Sequence, residues 1–250
     1  WLIEVSSWRM GFWVLAGCAA LSWGAIALWM REPPPPAGAP RESLREAVRT
    51  FGALFRLPHT GGIMALALVT YASFVALRGL WLGPLMMQRH GWSLVATGNL
   101  AVVLTVVALV SLPLFGRLDP GPRRRRSWML VGTVVSAALF ALLALGVSAP
   151  MDVVAMLLVC AASGFATLQY PDVKDAYEPA VIGRAMALFT MALFMGVALV
   201  QWLTGAIASI AQAHGIDPFG PVFGCIAVLL ALGALAFREL PQPARTQERA

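Results

Sequence analysis

Apolar residues gather into seven long runs separated by short polar links. The runs cover about 10–30, 61–85, 97–115, 128–146, 153–170, 185–211 and 221–237. A bilayer core of about 30 Å is crossed by about 20 apolar residues of helix, and each run approaches that length. Inside hydrocarbon every backbone amide must pair within the protein, which leaves helices or a closed barrel. The runs are too long for barrel strands and do not alternate apolar with polar positions. They predict an all-α polytopic membrane protein with seven transmembrane helices.

The longest link, 31–60, opens with Arg31-Glu32 and four prolines at 33–36, which end the first helix and stiffen its exit. Charged and apolar residues then separate onto two helical faces, with Leu44, Val48, Phe51 and Phe55 along one stripe. That pattern predicts a short amphipathic helix, lying either on the inner membrane surface or as a solvated linker. The organisation expected is a single span over 1–30, a loop over 31–60, a six-helix bundle over 61–237 and a tail over 238–250. Trp8, Trp29, Trp92 and Trp128 fall at span ends, where an indole sits half wet. Small residues recur at Gly11, Gly17 and Gly24, and at Gly196, Val200 and Gly205, and predict close helix approach.

Composition agrees with the pattern. Hydrophobic residues make up 59% of the chain and charged residues 12%, against about a quarter charged in soluble domains. Mean hydropathy is +0.77. The net charge of +6 would suit nucleic acid, but its placement argues for topology instead. Arg31, Arg41, Arg45, Arg49 and Arg56, then Arg117 and Arg123 to Arg126, then Lys174 and Arg184, then Arg238, Arg245 and Arg249 fall on alternate links. Basic links stay in the cytoplasm. The start is therefore expected outside and the C-terminus inside, in a bacterial cytoplasmic (inner) membrane, with no nucleic-acid partner. The chain begins at Trp1, and its first span is preceded by Glu4-Val5-Ser6-Ser7 rather than a basic leader. That start and the odd number of spans predict a piece of a longer protein.

Candidate chemistry is sparse. Cys18, Cys160 and Cys225 show no CxxC spacing and read as packing residues, so no metal site and no cofactor is expected. There is no P-loop, HExxH or dinucleotide fingerprint. Arg78 is the most informative residue. It lies about 27 Å of helix rise beyond Thr60 and about 15 Å before Gln88, where a charge is costly and faces a cavity or a partner. Tyr71, Phe74, Arg78 and Trp81 follow at spacings of three, four and three, which predicts one shared face suited to an anionic or aromatic solute. No Asp, Glu or His falls inside the runs as drawn, so Arg78 is expected to be balanced by a bound anion or by sequence outside this chain. Gln201, Asn99 and Gln169 can bond into a cavity or bridge helices; Gln201 is assigned to the cavity and Asn99 to a bridge. Gly79, Gly83 and Pro84 predict a bend that serves as a gate. Asp172, Asp175 and Glu178 are expected near the Arg123 to Arg126 cluster, either ion-paired to it or solvated. Lys174 and Glu178 predict an i,i+4 pair on a helix running past Pro171.

Three segments resemble the major facilitator superfamily. Trp8-Arg9-Met10-Gly11-Phe12 is similar to the opening of its sixth helix. The turn from Gly116 through Asp119 to Arg123 and Arg126 resembles its loop between the eighth and ninth helices. Glu178-Pro179-Ala180-Val181-Ile182-Gly183-Arg184-Ala185 resembles the approach to its eleventh. The resemblance implies the sixth helix, the central loop and the C-terminal six-helix half of a secondary transporter. Its partners would be a small solute, the lipid bilayer and a missing N-terminal half, with the solute held between halves. It also implies that the second and fifth spans line the cavity, and that Gly116, Asp119, Arg123, Glu178 and Arg184 take part in gating. The glycine and asparagine signature of nitrate transporters is absent from 185–211, so no subfamily is assigned. Two other readings are a membrane-embedded enzyme, which would need clustered catalytic residues at one face, and a sensor or scaffold that kept the fold.

Overall fold

The structure is a computed structural model that describes residues 8–30 and 44–241. The turn at 4–7, the proline run at 33–36 and the tail from 242 lie outside the described residues. Eight helices are described. They are α1 Trp8–Trp29, α2 Leu44–Leu54, α3 Thr60–Arg89, α4 Leu94–Arg117, α5 Pro122–Leu145, α6 Ala149–Ala176, α7 Ile182–Ala213 and α8 Phe219–Glu239. All but α2 are long and apolar enough to cross a membrane. Among the described residues there is no strand.

Two compact units divide the chain, Trp1–Leu44 and Arg45–Ala250. The first holds α1, whose Trp13, Leu15 and Trp23 are exposed, as suits a helix solvated by lipid. The second holds the six-helix bundle and nearly all of α2. Of the expected apolar stripe of α2, the side chains of Leu44 and Val48 lie outside the described ones. Phe51 is half-buried, while Phe55 lies past the helix end, exposed, with its ring edge-on to Phe51. Among the described side chains of α2, Leu54, off the stripe, is the one that is buried, in a cluster with Ile63, Leu66 and Tyr177.

Short links set the helix order. Gly91, Gly121, Gly146 and Gly215 adopt left-handed φ at the turns, where a side chain would be strained. Ser93 and Ser148 cap α4 and α6 by accepting from the amides of Ala96 and Met151. The bundle centres on α3, which packs against α7 and α8; α8 also packs on α5, and α6 on α4 and α5. Without water between helices, close backbone packing supplies the adhesion. Gly196 of α7 lies so close to the Leu68 carbonyl that an added Cβ would collide with it, and Gly233 of α8 is sealed by Val69. Val200 is buried as well, whereas Gly205 has no atom within 4 Å of an added Cβ.

Two spans are broken part-way across the bundle. In α3 the regular helix stops at Ala76. Wide π turns follow over Leu77–Trp81 and Leu85–Arg89, on either side of Leu82–Pro84. Pro84 has no amide to donate back along the helix. In α6 a tight 3-10 stretch, Ser163–Leu168, separates Ala149–Ala162 from Gln169–Ala176. Both irregularities leave some backbone groups outside the α ladder, the local condition for a bend.

Candidate functional site

The break in α3 carries Arg78. Its side chain is exposed, and its field reaches Cys160 just before the break in α6. Among the described residues no carboxylate pairs with it. The expected shared face is split. Tyr71 is exposed like Arg78, with its ring edge-on to Phe194 at 6.0 Å. Phe74 and Trp81 are buried. Phe74 packs edge-on to Phe165 at 6.0 Å. Trp81 donates its Nε1–H to Thr204 Oγ1 at 3.1 Å and meets Phe219 edge-on. At the 100° per residue of a regular helix, Phe74 lies about 60° from Tyr71 and Arg78 about 20°, and the π turn over Leu77–Trp81 takes Trp81 off that count. The burial boundary runs through that arc, so two of the four face outward and two hold the bundle together.

Gln169 sits where α6 resumes after its break. It is buried, and its Nε2 donates to Thr70 Oγ1 of α3 at 2.9 Å. Its Oε1 is buried with no partner, so one strong acceptor remains to be satisfied. Tyr170 beside it is exposed, edge-on to Phe189 at 5.1 Å. Gln201 is half-buried, and its backbone carbonyl accepts from the Thr204 hydroxyl at 3.2 Å. Asn99 is exposed on α4 rather than packed as the expected bridge. Gly83 and Pro84 are half-buried between the two π turns.

One end of the bundle is held by arginines of α5. Arg125 grips Asp119 with Nε at 3.0 Å from Oδ1 and Nη2 at 2.6 Å from Oδ2. It reaches Asp175 of α6 through Nη1 at 2.5 Å. Arg126 pairs with Asp172 through Nε at 3.2 Å and lies over the Phe237 ring at 4.5 Å. The hydrogen bond from Arg125 holds the Asp119 carboxyl below its ordinary range, against the opposing effect of partial burial. The gating residues expected from the resemblance divide here. Asp119 joins this network, while Gly116, Arg123 and Glu178 are exposed and Arg184 is half-buried. The expected Lys174–Glu178 pair does not form. Helix α6 ends at Ala176, Tyr177 is extended, and Glu178 falls off the helical register.

The opposite end holds an acid that the drawn spans left out. Asp152, in the first turn of α6, is fully buried. Its Oδ2 lies 2.8 Å from His90 Nε2 and 3.9 Å from Arg89 Nη1, while its Oδ1 has no partner. Arg89 also binds Asp217 in the α7–α8 link and stands over the Phe219 ring at 5.2 Å. The expectation of spans without acid is thus corrected. The signal was present: Ser148-Ala149-Pro150 is a helix start, and extending the run back to it takes in Asp152. Among the described residues no group of three metal-binding side chains occurs.

A profile described as Major Facilitator Superfamily matches residues 1–173. No curated protein matches the chain.

Proposed function

Since the chain belongs to the Major Facilitator Superfamily, an integral membrane family of secondary transporters, we propose that its two broken spans, α3 and α6, line the solute path. Transporters place their solutes at discontinuous helices near mid-membrane, where irregular backbone borders a cavity. The solute is small and anionic or aromatic. The observation that carries this is Arg78: an exposed guanidinium at the π turn of α3, close to the α6 break, with no acid paired to it among the described residues. A bound anion would supply the missing countercharge, and Tyr71 on the same arc offers a ring to a planar body. Gln169 Oε1 offers a further acceptor near the α6 break. Gln201 borders the same path.

The end bearing Arg125 and Arg126 faces the cytoplasm of a bacterial inner membrane, in accord with the basic links. The ion pairs of Asp119, Asp172 and Asp175 latch that end in one state, and the links carrying Gly116, Arg123, Glu178 and Arg184 move with them. The bundle over 61–237 rocks as one half around the site, and the wide turns near Gly83 and Pro84 let α3 bend as it opens.

The test is Arg78→Ala in the native protein, reconstituted into liposomes and offered a panel of labelled organic anions and aromatic solutes. Uptake of the accepted solute should fall by at least roughly tenfold, equivalent to about 1.4 kcal/mol or more, while expression and melting temperature hold. Arg78→Lys should recover part of it, because the charge returns without the fork. Normal uptake kinetics in Arg78→Ala would remove Arg78 from the site.

A further inference from the structure

A groove of about 430 Å³ runs between α5 and α8, on neither of the broken spans. Leu130, Val131, Val134 and Val135 form one wall, and Ala231, Leu235 and Arg238 the other. Most of these side chains are exposed, so in a bilayer the groove is filled by lipid chains. From Ala231 to Arg238 the helix rises about 10 Å, and one leaflet of hydrocarbon is about 15 Å deep. Arg238 lies at the arginine end of the bundle. There Arg126 of α5 stands over the Phe237 ring of α8 at 4.5 Å, so the start of one helix meets the end of the other.

The four arginines at the start of α5 divide by face. At about 100° per residue, Ser127 lies about 10° from the middle of the α5 wall, and Arg123 and Arg124 about 50° to either side of it. Arg125 lies about 150° away and Arg126 about 110°. Those two are buried and hold Asp119, Asp172 and Asp175. Arg123, Arg124 and Ser127 are exposed. Trp128 is 39% exposed, as suits an indole at the membrane boundary. Arg124 stands about 6 Å of helix rise beyond it, at headgroup level. Arg238 touches the adjacent Glu239 through Nε at 3.3 Å, with both side chains exposed. Such a pair holds only weakly, and it leaves both Nη groups of Arg238 for another acceptor. Among the described residues no carboxylate lines the groove, and Arg124 makes no ion pair. An apolar trough that ends in a cation from each helix matches a ligand with an alkyl chain and a phosphate.

We infer that this groove is a specific site for an anionic phospholipid of the leaflet at the arginine end. One acyl chain lies along Val131, Val134 and Leu235. The headgroup phosphate sits between Arg124 and Arg238 and accepts from their guanidinium groups, with Arg123 beside it. The lipid bridges α5 to α8 from the membrane side and is not the transported solute.

The test is native mass spectrometry of the protein in detergent with equal amounts of phosphatidylglycerol and phosphatidylcholine. Wild type should retain one phosphatidylglycerol and prefer it about tenfold. The double variant Arg124→Gln with Arg238→Gln should lose that preference, equivalent to about 1.4 kcal/mol, with the melting temperature held. Arg56→Gln is the control. Arg56 is exposed in the turn before α3, and Gly62 of α3 meets Ala236 and Phe237, which lie more than about 120° from the groove face of α8. That variant should keep the preference. Ala231→Trp, at an exposed position of the groove, should fill it and abolish retention; if it does not fold, the arginine variants decide. Glycerol phosphate at millimolar concentration, a phosphate without chains, should not displace the lipid. Equal retention of the two lipids, a preference that survives the double variant, an equal loss in Arg56→Gln, unchanged retention in folded Ala231→Trp, or displacement by glycerol phosphate would each overturn the inference. Failure here leaves the reading of Arg78 untouched, because the two tests share neither ligand nor variant.

Discussion

The two halves of α3 are built on different terms. From Thr60 to Ala76 the helix is regular and largely buried. Gly196 and Gly233 bring α7 and α8 against its backbone. Two of its hydroxyls bond back to the helix: Thr70 donates to the Leu66 carbonyl at 2.9 Å and Ser73 to that of Val69 at 2.6 Å. From Leu77 to Arg89 the ladder widens twice. Gly79 and Gly83 face open space, and Arg78 is exposed. This second half still buries Leu77, Leu82, Leu85 and Met86 in the core, and is tied by Trp81 part-way along and by Arg89 and His90 at its tip. Close packing resists deformation; in the second half the packed face remains, but the widened ladder and the open positions at Arg78, Gly79 and Gly83 leave the other face room to bend. One span thus joins a regular segment at the centre of the bundle to an irregular one with an open face.

The strongest way to break this comparison is to crowd the first half. Gly196→Leu drives a side chain into the Leu68 carbonyl, and neither backbone can yield without parting α7 from α3. Overpacking usually costs about 1–3 kcal/mol when side chains alone adjust. Here backbone must move, so a loss above about 3 kcal/mol is expected, read as a collapse in the detergent melting temperature and in folded yield. A Gly196→Leu protein that melts like wild type would show that the first half is not the rigid one.

A smaller effect is expected at the tip of the second half. Asp152→Asn keeps the size of the side chain but removes the charge facing Arg89 and His90. Charged hydrogen bonds contribute about 1.5–3 kcal/mol, and Arg89 keeps Asp217, so a loss near the lower end is expected. Amide exchange should quicken across 85–92 and stay unchanged across 60–76. Equal quickening in both halves would make α3 a single cooperative unit.

What was legible in the sequence follows the same division. The existence of seven spans was plain from hydropathy, because lipid demands long apolar runs whatever the packing. Contacts that depend on two elements meeting were harder to read. The arginine cluster announced its charge, but only the fold selects Arg125 and Arg126 as the buried partners of Asp119, Asp172 and Asp175. A boundary placed four residues late, at Val153 instead of Ala149, hid Asp152. The shared face of Tyr71, Phe74, Arg78 and Trp81 failed because periodicity ranks angles without saying where the neighbours stop. The π turns left only indirect traces in Gly79, Gly83 and Pro84, residues whose spacing predicted a bend but not its width.

The smallest expected effect on stability falls at Gly79, and it sharpens the comparison most. No atom lies within 4 Å of where a Cβ would stand, so alanine adds no clash. Replacing an unstrained helical glycine usually stabilises by roughly 0.5–1 kcal/mol, because the unfolded chain has less freedom to lose. Gly79→Ala should therefore melt at or slightly above the wild-type temperature. If the second half of α3 bends during transport, the same added stiffness slows the step that needs the bend. Uptake in liposomes should then fall two- to threefold, about 0.5 kcal/mol of barrier, with the solute's KM little changed. Unchanged uptake in a protein with an unchanged melting temperature would assign the wide turns to packing alone and leave the gate to be found on another helix.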